Sequence, residues 1–306
     1  MLLTKSPVRF ARMAIAVARQ QLPRYRTRFS RRDYEWPQLV ACLLVRQFLR
    51  LDYRGTEQVL REFTALRRAL GLRCTPDHTA LCRALRNLTL PQLERLLDET
   101  VARMVRLRCG PGRPPQHATV IPDSTGLRFD CTSRSYWHRI KRHGRFHRWP
   151  KWSIAADRKT HMILSQVADI GPRSDHCEFA ALVDEAQRRR PSTELLADAG
   201  YDSHHNLRWC QEHHGLTAII KVKKVGRPGP QGVEGSPITS PLRRRLFDRL
   251  PRRRYGQRWQ VEAAFSAHKR RFGDRIHSRT QARRRREQLL RGVLHNCAVL
   301  HPSRRA

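Results

Sequence analysis

Between Trp36 and about Leu107 apolar residues recur at steps of three and four: Val40, Leu43, Leu44, Phe48 and Leu51, and then through 56–70, 77–88 and 91–107. This is the period of helices with one buried face and predicts an all-α region. Thr56 stands where an N-cap is expected, Gly71 where a helix stops, and Pro76 and Asp77 where the next one starts. Residues 56–88 therefore read as helix, short turn and helix, with arginines on the second. That pattern suits a DNA-reading helix-turn-helix, and equally two packed helices with solvated basic faces.

Gly110-Pro111-Gly112-Arg113-Pro114-Pro115 breaks regular structure, and a different pattern follows. Short apolar runs at 118–121, 152–156, 162–170, 194–197 and 217–222 read as strands, with helical stretches at 175–189 and 203–214 between the later ones. Three strands followed by alternating helix and strand predict a mixed five-stranded sheet with flanking helices, an α/β unit behind an all-α one. Residues 223–250, rich in Gly and Pro, lack periodicity and read as a long flexible loop. Helix resumes near Arg252, and 281–300 reads as a basic helix. The expected division is a helical N-terminal domain for DNA binding or dimerisation over 1–109, a linker over 110–117, and an α/β domain over 118–302.

Charge narrows the partners. Lys and Arg number 62 against 26 Asp and Glu, a formal charge of +36 spread along all 306 residues. A polyanion is implied, with nucleic acid foremost, because affinity accumulates with each phosphate neutralised. The acid-free first 32 residues read as a basic helix or a DNA-contacting arm, better than as a targeting peptide. Eight scattered cysteines without a Cys-x-x-Cys pair fit a reducing cytosol, and histidines 204, 205, 213 and 214 around Cys210 match no zinc spacing. The longest apolar stretch, 39–49, is interrupted by Arg46 and too short to span a bilayer.

Within this excess of cations, three acids stand out. Asp123 follows the apolar run Val120-Ile121-Pro122, and Asp198 follows Leu195-Leu196-Ala197; strand ends at an open sheet's edge are where ligand sites form. Tyr255, Arg258, Glu262 and Lys269, at offsets of 0, 3, 7 and 14, fall within about 60° of one another on a helical wheel. Charge alone would make that row a solvated face. Three carboxylates brought together, however, stay ionised only beside cations, and an all-oxygen donor set suits Mg²⁺.

Asp202 and Asp175 are placed to cap the helices that follow them. The segment 136–152 mixes charge with stacking surfaces: Trp137, Lys141, Arg142, Arg145, Trp149 and Lys151 are its candidate DNA contacts, whereas Trp152 reads as cover for the sheet. Pro122 removes a backbone donor from what should be a central strand, which calls for a bulge or local irregularity.

Together these residues resemble the bacterial insertion-sequence transposases of the DDE type. Tyr255-x2-Arg258-x3-Glu262-x6-Lys269 matches the signature of the insertion-sequence-four and insertion-sequence-five groups. Asp123-Ser124-Thr125-Gly126 and Asp198-x-Gly200-Tyr201-Asp202 look like their two aspartate segments, and 141–157 is similar to their basic, aromatic hairpin. The resemblance covers about 118–300. The interval of 64 residues between Asp198 and Glu262 leaves no room for a large inserted β-domain and favours the insertion-sequence-five group.

The resemblance implies a ribonuclease H-like fold with Asp123, Asp198 and Glu262 as catalytic metal ligands for two Mg²⁺ (or Mn²⁺) ions. Tyr255, Arg258 and Lys269 would contact DNA beside them. It further implies double-stranded DNA partners, namely terminal inverted repeats and a target, a homodimer on DNA, and a cytoplasmic, nucleoid-associated protein without membrane attachment. The alternatives are a catalytically silent DNA-binding descendant of a transposase and a ribonuclease H-like nuclease that does not join strands.

Overall fold

The computed structural model describes residues 3–109, 118–129, 148–223, 238 and 240–300. The N-terminal part is helical: α1 (Pro7–Gln21), α2 (Trp36–Leu49), α3 (Tyr53–Glu62), α4 (Thr64–Ala69), α5 (His78–Asn87) and α6 (Leu90–Cys109). α1 starts where the Ser6 hydroxyl accepts from the Arg9 amide, and it buries Phe10, Met13, Ala14 and Val17. The basic N-terminus is thus a core helix. α3 begins earlier than Thr56 suggested: the Asp52 carboxylate caps it by accepting from Gly55, and the buried Thr56 donates its hydroxyl to the Asp52 carbonyl at 2.6 Å. Phe63 leaves helical geometry at φ −89° and ψ 81° and starts α4. Residues 56–88 are therefore three helical pieces instead of two around one turn. Asp77 caps α5 as read.

Among the described residues, seven strands follow in chain order with helices between them: β1 (Ala118–Gly126), β2 (Arg128–Phe129), β3 (Trp149–Asp157), β4 (Ile163–Gly171), α7 (Phe179–Arg189), β5 (Ser192–Ala197), α8 (His204–His214), β6 (Thr217–Ile220), α9 (Pro241–Asp248), α10 (Arg252–Tyr255), α11 (Trp259–Phe272), β7 (Arg275–Ile276) and α12 (Gln281–Leu300). The main sheet has the order β4-β3-β1-β5-β6, while β2 and β7 form a separate pair. β1 and β4 run antiparallel to β3, whereas β5 is parallel to β1 and β6 to β5. Three antiparallel strands continued by two parallel ones give the ribonuclease H-like arrangement.

α9 lies inside the span expected to be loop. The Ser240 side chain accepts from Arg243 and Pro241 occupies the first turn, where a missing N–H costs nothing and φ is already helical. The proline that argued for loop is a helix start.

Pro122 is accommodated without a bulge toward β3; the irregularity expected beside it lies toward β5, where the register shifts between Ala118 and Thr119. Register between β1 and β3 is unbroken from Val120↔Asp157 to Gly126↔Lys151, with Pro122 opposite Ala155. Arg158 donates to the Thr119 carbonyl and Leu127 to that of Pro150, so the odd-numbered residues of β1 bond to β3 and the nitrogen of Pro122 faces β5. There the ladder has ended at Val120↔Leu195. The strands part where the donor is lacking.

Side chains alternate across the sheet. Ile121, Trp152, Ile154, Ala156, Ile163 and Leu196 point to one face and share a core with α1, α2, α5, α11 and α12. Val120, Ala155, Leu164, Leu195 and Ala197 point to the other, against α7, α8 and the end of α6. The helical part and the sheet thus close over a common interior. Two arginines reinforce it: buried Arg46 pairs with buried Glu287 of α12 at 3.6 Å, and Arg50 donates to the carbonyls of Arg271 at 3.0 Å and of Arg270 at the end of α11. Among the described residues no helix is long and apolar enough to cross a membrane.

Candidate active site

The end of β1 carries two sets of side chains, one on each face. Asp123 and Thr125 share the face of Ile154 and Trp152, their partners across the ladder, and meet α11. Trp152 fixes that helix to the sheet, with its ring 5.8 Å from Phe265 and 4.9 Å from His268. Helix α11 lies along β1: the Arg258 guanidinium is 2.5 Å from Glu262 and 3.8 Å from Asp123, and the Lys269 ammonium donates to the Thr125 hydroxyl at 2.6 Å and the Gly126 carbonyl at 3.0 Å. Tyr255 and Arg258 occupy the short turns before α11, and all four signature residues still face one way.

Asp123 sits in an unbalanced field. Burial pushes its carboxyl up to about 6; the Ser124 amide, donating at 2.9 Å, and Arg258 oppose the shift, while Asp198 and Glu262 add to it. Burial likewise pushes the Tyr255 phenol up and holds the Lys269 ammonium below its usual range. Asp198 ends β5 and caps the turn Ala199–Tyr201, accepting from the Gly200 amide at 2.8 Å. A Cβ at Gly200 would lie 2.9 Å from the Asp198 carboxylate and displace it from its place beside the Gly200 amide.

Ser124 faces the other way. Its hydroxyl donates to Asp175 at 2.7 Å, and Asp175 accepts from the Lys151 ammonium, also at 2.7 Å. Lys151 bonds in turn to Glu178 at 3.3 Å and to the Arg173 carbonyl at 3.0 Å, and Ser153 donates to Glu178. The Lys151 side chain is only 5% exposed, so this expected DNA contact is instead an internal counter-ion. β3 alternation turns it inward with Ser153, and a buried ammonium needs carboxylates. Nearby, the Tyr201 hydroxyl is buried without a partner, and burial together with Asp175, Asp123 and Asp198 pushes its pKa up.

The remaining candidates separate. Trp149 is half-buried against Gly126 and Gly171; Trp152 is fully buried and donates to Gln166 at 3.1 Å, as its reading as sheet cover implies. Trp137, Lys141, Arg142 and Arg145 lie outside the described residues. Asp202 does not cap α8, a role the Ser203 hydroxyl fills by accepting from Asn206; it holds Arg243 of α9 at 3.0 and 2.8 Å. Asp175 has no cap bond either, its carboxylate being engaged by Ser124 and Lys151. The one signal in the sequence was strand alternation, which puts Lys151 on the same face of β3 as Ser153.

No three His, Cys, Asp or Glu side chains among the described residues are gathered closely enough to hold a metal ion as they stand, and Glu262 is turned to Arg258. The donor set is nevertheless all oxygen, and partial burial together with Asp198 and Glu262 disfavours the ionised form of Asp123, which suits a hard divalent cation. Among curated proteins none matches the chain. The family of the transposase DDE domain matches residues 114–297, more than half of the 306, and includes both aspartates, the glutamate and every strand of the sheet. The chain belongs to the DDE-domain transposases.

Proposed function

We propose that Asp123, Asp198 and Glu262 hold two divalent cations, Mg²⁺ or Mn²⁺, and that the protein cuts double-stranded DNA at the terminal inverted repeats of an insertion sequence and joins the 3′ ends to target DNA. The observation that carries this reading is Arg258, whose guanidinium lies between Asp123 and Glu262 at the end of the central strand. Carboxylates converging there from a strand and a helix are matched by a single positive charge. Asp123, raised in pKa first by burial and further by the other two carboxylates, would be the ligand most relieved by bound cations. Bound cations would activate the attacking water or 3′ hydroxyl and stabilise the leaving oxygen of an in-line displacement.

The protein's own groups then have distinct tasks. Arg258 holds a phosphate once Glu262 has turned to its ligand role, its fork matching two phosphate oxygens. The Tyr255 phenol donates to the same strand. Lys269, tied to Thr125 and Gly126, fixes the distance between α11 and the end of β1. The interval of 64 residues between Asp198 and Glu262, too short for a large inserted β-domain, supports assignment to the insertion-sequence-five group. Joining two ends in one complex calls for a homodimer on DNA.

The test is cleavage and strand joining on duplexes bearing the element's own ends, with Mg²⁺ or Mn²⁺. Asp123→Asn, Asp198→Asn and Glu262→Gln should each abolish both steps with the fold retained by circular dichroism. Full activity in any of them removes that residue from the site; cleavage without joining by the wild-type protein makes it a nuclease instead.

A further inference from the structure

The chain between α1 and α2 passes through Arg24-Tyr25-Arg26-Thr27-Arg28-Phe29-Ser30-Arg31-Arg32, five arginines in nine residues. It is held at its base. The Trp36 amide donates to the Arg24 carbonyl at 2.7 Å, Glu35 binds Arg24 at 2.9 Å and Arg19 at 3.2 Å, and the Tyr34 hydroxyl donates to the Thr75 carbonyl at 2.9 Å. Its tip is a closed turn: the Ser30 amide donates to the Thr27 carbonyl and the Thr27 amide to the Ser30 hydroxyl, both at 3.1 Å. Arg28 and Phe29 are the two residues at the apex.

Phe29 is 82% exposed, more than any other large apolar side chain described. A lone exposed apolar residue is ordinary; its setting is not. The Arg28 guanidinium lies 4.6 Å from the ring centroid, and Arg26, Arg28, Arg31 and Arg32 have no carboxylate partner among the described residues, whereas Arg24 has. The fold therefore presents an exposed aromatic ring on a hydrogen-bonded turn, with Arg28 over its face and Arg26, Arg31 and Arg32 close by in the chain. Arginines in the minor groove beside an apolar side chain driven between base steps are the means by which proteins unstack and bend a duplex.

We propose that this turn is a DNA wedge: Phe29 enters a base step of duplex DNA from the minor groove while Arg26, Arg28, Arg31 and Arg32 engage the groove and its phosphates. The proposal rests on the DNA-binding reading above and adds where, on the helical part of the protein, the duplex is deformed.

The experiment uses the full chain without divalent metal, so that binding is read apart from chemistry, and end-labelled duplexes containing 2-aminopurine. Wild type should shorten the end-to-end distance by energy transfer and raise 2-aminopurine emission. Phe29→Ala should abolish both and weaken binding roughly five- to hundredfold, the worth of one stacked base, without altering the salt slope. Phe29→Leu, still an apolar wedge, should restore bending.

Replacing Arg26, Arg28, Arg31 and Arg32 by Ala should lower the slope of log affinity against log salt by about 0.9 for each phosphate no longer neutralised. Thermal unfolding should be unchanged in Phe29→Ala, whose ring lies outside the core. If wild type binds and Phe29→Ala bends and unstacks the duplex equally well, the wedge is refuted and the DNA-binding reading stands. If wild type binds no duplex, both fall.

Discussion

The end of β1 separates two ionic clusters of the same composition, one cation and two carboxylates each, on opposite faces of the sheet. Lys151 with Asp175 and Glu178 is closed: two of its members are 5% exposed, and both carboxylates take further bonds from Ser124 and Ser153. Arg258 with Asp123 and Glu262 is open: Glu262 is 55% exposed, and Asp198 adds a further negative charge to the same field. Composition does not distinguish the two clusters; completeness of pairing does. In the closed cluster Lys151 and Glu178 are enclosed and both carboxylates are paired with Lys151, whereas in the open one Glu262 stands exposed and Asp198 adds uncompensated negative charge.

Asp123→Asn should draw the sharpest line between them, lowering strand cleavage by about a thousandfold or more while the folded state persists; Glu178→Gln, on the closed side, should leave cleavage measurable in whatever protein folds. Lys151→Met should cost about 3–5 kcal/mol in denaturant unfolding, because it leaves buried carboxylates uncompensated. A loss under ~1 kcal/mol would show that the closed cluster is solvated after all.

A third outcome concerns pH. Asp123 binds its proton more tightly in the folded protein, at about 6 against an ordinary 3.8, so its contribution to stability is present below about 4 and lost as pH rises through 6. Without metal, wild type should therefore lose on the order of 2–3 kcal/mol between pH 4 and 7 relative to Asp123→Asn, at about 1.4 kcal/mol per pKa unit, and a divalent cation should restore it. Thermal midpoints of the two proteins that move in parallel across this range would contradict that. The smallest effect is expected for Ser124→Ala, which removes the hydrogen bond to Asp175 from the residue that follows Asp123: about 1 kcal/mol in unfolding, with a several-fold higher Mg²⁺ requirement for cleavage if that bond, through the shared backbone, also orients Asp123.

Much of this was legible in the chain. Periodicity placed the strands and the principal helices, and the row from Tyr255 to Lys269 put Glu262 on the face that meets Asp123, because both depend on local repeats of two or 3.6 residues. The closed cluster was not legible, because it joins β1, β3 and the turn after β4, and sequence distance carries no sign of that meeting. Lys151 was grouped with its basic neighbours although strand alternation turns it inward. α9 was hidden by a proline whose meaning depends on the serine before it. Pro122 was harmless for a reason only pairing reveals: β5 has already departed on the side its nitrogen faces.

Arg50 carries a consequence for engineering. Its guanidinium, from the helical part, terminates the helix that bears Glu262, while Arg46 reaches a buried acid in α12. The N-terminal third is thus no interchangeable head on a self-sufficient catalytic fragment. A fragment starting at residue 118 would uncover the sheet face that α1, α2 and α5 cover and leave the glutamate's helix unfinished, so the two parts must be engineered as one body, by altering side chains on these helices and not by exchanging them.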